Sequence, residues 1–138
     1  MLSKFDLEAF GYYDPNYEED VVLKRTITDW VNVVHKQNIK IGWWDGYDVD
    51  DRFAEKLCLI HSEISEAMEG HRKSLMDDHL PEREMAEVEL ADAVIRIFDL
   101  AGAKGYDLEG AIREKVEYNK LRADHKRENR GGVGGKRY

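Results

Sequence analysis

A chain of 138 residues is long enough for one domain that buries a core without disulfides or structural zinc. Its 21 Lys and Arg against 29 Asp and Glu give a net charge of −8, which argues against a general grip on nucleic-acid backbones. The lone Cys58 can form no internal disulfide, and no apolar run has the length of a signal h-region or a membrane span, so the expected setting is the reducing cytoplasm.

Residues 1–16 hold Phe5, Phe10, Tyr12 and Tyr13, interrupted by Gly11 and Pro15, with neither helical nor alternating spacing. They read as an irregular arm whose aromatics pack on the body or on a second subunit. From about Tyr17 to Asn38 the residues Val21, Val22, Ile27, Trp30, Val31 and Val34 recur at helical intervals behind an acidic first turn, which predicts a first helix. A loop over 39–50 follows, marked by Gly42, Gly46 and several aspartates. Within it, Trp43 and Trp44 offer two readings: one ring stacks on a nucleobase, or both anchor the loop on the body.

Asp50 and Asp51 are candidate caps for a second helix over about 51–72, in which Phe53, Leu57, Ile60, Ile64, Ala67, Met68 and His71 gather on one side as the core face. Leu59, Glu63 and Glu66 form a strip at its border. Pro81 is placed to open a third helix over about 81–103, stopped at Gly105. Its second half is apolar nearly all round, leaving one polar strip of Glu89, Asp92, Arg96 and Asp99. A helix of that kind is ordinarily buried, so its acids should line something enclosed, and burying several carboxylates calls for a counter-charge. A fourth helix is expected from the Asp107 cap to about Arg127, with Lys115, Asn119 and Arg122 sharing a face that could meet a triphosphate. The tail over 129–138 carries four glycines in residues 131–135 and is expected to be flexible, with the further reading that it folds over a bound nucleotide.

The chemistry concentrates in Glu63-x-x-Glu66 and Glu89-x-x-Asp92. An i, i+3 pair shares one helix face, and two consecutive helices joined by a short loop can pack as an antiparallel hairpin, so four carboxylates would converge. Hard oxygen donors suit Mg²⁺ or Mn²⁺ rather than Zn²⁺. The competing structural reading is a surface ion pair between Asp92 and Arg96. A di-iron carboxylate bundle would want Glu-x-x-His, and no histidine here has an acid three residues before it.

His61-Ser-Glu63-Ile-Ser-Glu66-Ala67 followed by Glu89-Leu-Ala-Asp92 resembles the acidic signature of the MazG-like all-α nucleoside triphosphate pyrophosphohydrolases, over roughly residues 50–125. The resemblance implies a four-helix bundle spanning 1–128 as a single domain, assembled as a homodimer or homotetramer. It also implies Mg²⁺ held by Glu63, Glu66, Glu89 and Asp92, and hydrolysis of a nucleoside triphosphate to the monophosphate and pyrophosphate. Glu63 or Glu66 would orient the attacking water, and Lys115 and Asn119 would touch the nucleotide, with Arg122 beside them. The alternative from another class is a non-enzymatic helical dimer that binds a protein or nucleic acid through its Arg-Gly tail.

Overall fold

A computed structural model describes residues 25–133, and these are all-α. The chain divides after Tyr106 into two compact units. In the first, α1 (Ile27–Lys40), α2 (Val49–Lys73) and α3 (Met85–Lys104) pack with α3 against both of the others, most extensively against α2. The second holds α4 (Leu108–Leu121), a 3-10 turn (Ala123–His125) and the single-turn α5 (Arg127–Arg130). The aromatic arm and residues 17–24 lie outside the described residues, as do the last five of the tail.

Local chemistry moves several boundaries from where periodicity places them. α1 begins at Ile27 because Thr26 and Asp29 form a reciprocal cap: Asp29 N–H donates to the Thr26 hydroxyl at 3.1 Å and Thr26 N–H donates to the Asp29 carboxylate at 2.9 Å. The hydrogen bonds from Thr26, backbone first, hold the Asp29 carboxyl below its usual range. Thr26 itself is extended, so the expected helix from Tyr17 is interrupted there. α2 is capped by Asp48, two residues before the expected cap, with Asp50 N–H donating to its side chain at 2.8 Å.

The third helix starts at Met85 rather than at Pro81. Asp77, 8% exposed, accepts from the backbone N–H groups of His79 at 2.9 Å and Leu80 at 2.6 Å, which folds residues 77–80 into a side-chain-closed turn. Met76 and Glu84 then pair as an isolated antiparallel bridge, flanked by Asp77 N–H to Arg83 C=O and Met85 N–H to Leu75 C=O, each 3.0 Å. Those bonds hold residues 81–84 out of the helix. At its other end α3 stops as expected, at Gly105 with φ 66°. The fourth helix ends at Leu121, because Arg122 is extended and forks onto the Asp124 carboxylate at 2.9 and 2.6 Å. Asn129, expected in the loose tail, instead belongs to α5 and donates to Ala123 C=O at 2.7 Å.

The buried apolar side chains among the described residues are Val31, Val34, Ala67, Ala93, Leu100 and Ala101. Half of them are alanines, so the helices approach closely. A Cβ at Gly102 would stand 2.5 Å from His35 Cβ, and one at Gly70 would stand 2.9 Å from Met85 Cβ. The expected core face of α2 is corrected accordingly: Glu63, Ala67 and Gly70 point inward, while Leu57, Ile64 and Met68 are exposed. On the α2 side, small residues and one acid face the tight α2–α3 seam, and the bulky stripe lies outside it. None of the described helices is long and apolar enough to cross a membrane.

Candidate metal centre and adjoining cavity

The α2–α3 seam brings together Glu63 from α2 and Glu89 and Asp92 from α3, with one carboxylate oxygen of each lying within 4.8 Å of the others. Glu63 is 6% exposed and Glu89 9%, so the cluster sits in the seam rather than on an outer face. Glu66 is exposed and is not one of the three that meet, although its charge reaches both Glu89 and Asp92.

Burial pushes the Glu89 carboxyl up from 4.5 to about 7, helped by a hydrogen bond shared with Glu63 and by the charges of Glu66, Glu63 and Asp92. Asp92 is also raised, first by burial and then by Glu63, with Asp77 and Glu66 adding to it and Arg96 partly opposing. The raised Glu89 carboxyl is the mark of an acid cluster short of positive charge. A single cation answers it. Arg96 Nε donates to Glu63 Oε1 at 2.5 Å, so Arg96 bridges α3 to α2 and takes Glu63 as its partner, where the sequence suggested Asp92. One half-exposed guanidinium against three clustered acids leaves the site undercompensated. Oxygen-only donors with excess negative charge fit a hard divalent cation.

A cavity of about 230 Å³ opens beside these acids, with Asp92 and Arg96 on one side and Asn38 and Trp43 on the other. Asp99 closes it from α3. Asp99 is 5% exposed, and its Oδ1 accepts from Trp44 Nε1 at 2.9 Å and from His35 Nδ1 at 2.8 Å. An acceptor-only carboxylate at that distance requires the proton on His35 Nδ1. The two rings meet edge to face at 5.8 Å, and Lys56 Nζ stands 4.4 Å above the Trp44 ring. Trp44 therefore has its N–H bonded, its edge packed and one face covered. Trp43, 61% exposed, presents its ring at the cavity. Trp44 thus anchors the loop, as one of the two readings of the sequence has it, while Trp43 is exposed with Lys56 Nζ 5.9 Å from its ring centroid.

Lys115, Asn119 and Arg122 lie in the second unit. Lys115 Nζ sits 4.7 Å over the Tyr118 ring, Arg122 is paired with Asp124, and Asn119 Oδ1 is buried with no hydrogen-bond partner among the described residues. His35, Asn38, Lys56 and Asp99 are site residues that motif reasoning did not assign. Val31, His35 and Asn38 follow one another at i, i+4, i+7, which is the available signal that His35 and Asn38 share the inward face of α1.

The chain matches no protein-family model, and no curated protein and no solved structure matches it.

Proposed function

We propose that the protein is a Mg²⁺-dependent nucleoside triphosphate pyrophosphohydrolase built on the MazG-like four-helix plan that its acidic motif resembles. The observation that carries this reading is the convergence of Glu63, Glu89 and Asp92, from two different helices, in a seam otherwise lined with alanine and glycine. Glu63, Glu89 and Asp92 hold the ion, and Glu66 completes the set from the exposed side. Mg²⁺ or Mn²⁺ there would supply phosphate neutralisation and a bound water of lowered pKa. Glu66, the carboxylate facing solvent, would orient the attacking water and take its proton as the water oxygen bonds to the α-phosphorus and the bond from that phosphorus to the pyrophosphate oxygen breaks. Arg96 holds Glu63 in place before substrate arrives. Lys115, Asn119 and Arg122 are the side chains of the second unit that we assign to phosphate binding. A homodimer covers the apolar stripes of α2 and α3.

The decisive experiment measures pyrophosphate and orthophosphate separately from a panel of nucleoside triphosphates. Wild type is expected to release pyrophosphate only with Mg²⁺ or Mn²⁺. Asp92→Asn, which keeps volume and helix, should reduce the rate by orders of magnitude in a folded protein. Full activity in folded Asp92→Asn, or orthophosphate as the sole product, removes this mechanism and leaves a binding module.

A further inference from the structure

Asp99 is more than nine-tenths buried, yet only one of its two oxygens is used. His35 and Trp44 both donate to Oδ1, while Oδ2 has no hydrogen bond among the described residues. Asp99 lines the cavity, and so does Asn38, whose side-chain amide is likewise without a hydrogen bond among the described residues. Leu59 and Ile95 supply apolar wall, and Trp43, exposed and with Lys56 Nζ 5.9 Å from its ring centroid, supplies an aromatic ring. The combination describes the ligand: flat, partly apolar, able to stack, and carrying an N–H donor for the unbonded carboxylate oxygen of Asp99.

We propose that this cavity is a nucleobase subsite selective for bases with an exocyclic amino group beside an unprotonated ring nitrogen, that is, cytosine or adenine. The amino group donates to Asp99 Oδ2, and the ring nitrogen accepts from the Asn38 amide. Uracil and thymine place a carbonyl where the amino group would be, setting oxygen against oxygen. Guanine offers two adjacent donors and matches a carboxylate with both oxygens free, but here Oδ1 already carries two bonds. His35 and Trp44 thus act as positioning residues, since they occupy one oxygen and aim the other. The proposal rests on the nucleotide reading of the neighbouring acids, with which the cavity shares Asp92.

The test compares kcat/KM for CTP, UTP, ATP and GTP, and their deoxy forms, by pyrophosphate release with the full chain and Mg²⁺. CTP is expected to exceed UTP by at least about tenfold, the step a mispaired buried hydrogen bond imposes. Asp99→Asn retains an oxygen for His35 and Trp44 and replaces the free acceptor by an NH₂ donor. It should invert the CTP to UTP ratio, checked in protein whose circular dichroism is unchanged. If that variant does not fold, Asn38→Ala decides, because it should lower the same ratio several-fold through KM. Equal kcat/KM for CTP and UTP in wild type, or a ratio unmoved in the folded variant, overturns the proposal while leaving hydrolysis standing. If no nucleotide releases pyrophosphate, the hydrolytic reading fails by itself, and quenching of tryptophan fluorescence by cytidine against uridine decides the subsite. Stronger quenching by cytidine supports it; equal or absent quenching overturns it.

Discussion

At the scale of single residues the seam is dominated by the raised Glu89 carboxyl. Its folded pKa of about 7 lies above the unfolded 4.5, so between those values the folded chain binds more protons than the unfolded one. Stability therefore falls as pH rises through this window and levels off above it. The metal-free protein should show a melting temperature that declines from about pH 4.5 to pH 7. Glu89→Gln should flatten the decline. Saturating Mn²⁺ should reverse it, since ligation needs the carboxylate form and a ligand that binds only the folded state adds about 2.7 kcal/mol at a hundredfold excess over its Kd. A melting curve indifferent to Mn²⁺ at fixed ionic strength would argue against a metal in this seam.

At the scale of elements, the approach of α1 to α3 depends on Gly102. A Cβ there would lie 2.5 Å from His35 Cβ, an atom fixed by its own backbone, so the helices must separate. Gly102→Ala gains about 1 kcal/mol of helix propensity but incurs about 1 to 3 kcal/mol of overpacking. Overpacking is expected to win, with net destabilisation in urea titration and altered tryptophan emission as the His35–Asp99–Trp44 contacts loosen. Helix identity was legible from period and caps, and so were the Gly105 stop and three of the four acids expected to converge, Glu63, Glu89 and Asp92. The start of α3 was not, because Asp77 competes for backbone N–H groups in a way no periodicity registers. Nor was the inward face of α2, where the bulky residues that define a core by pattern are displaced by the glycine and alanine a tight seam requires. Asp99 was visible on a polar strip. Its work with His35 and Trp44 was not, because those partners are 64 and 55 residues away in sequence.

For the whole molecule the apolar inventory is lopsided. The described core is mostly small residues, while Ile64 and Met68 on α2 and Leu90 and Val94 on α3 are 43 to 58% exposed. α3 is thus apolar nearly all round, as its sequence indicates, but the described residues cover only part of it. Burying such residues against a second copy recovers roughly 1.5 to 3 kcal/mol each when burial is complete. The melting temperature should rise with protein concentration, and Ile64→Asp should yield a smaller species in sedimentation with a lower, concentration-independent melting point.

The Asp77 turn also bears on how fast the chain reaches this state. It closes the link between the two longest helices, which follow one another directly along the chain, so the α2–α3 hairpin can form before anything more distant is in place. A side chain that organises such a link acts early. Asp77→Ala removes two backbone hydrogen bonds to a carboxylate, on the order of 1 to 3 kcal/mol, and that loss should fall on the folding arm of the chevron. Stopped-flow refolding is expected to slow by about tenfold with the unfolding arm nearly unmoved, which corresponds to a φ-value close to one at a residue that touches neither substrate nor metal.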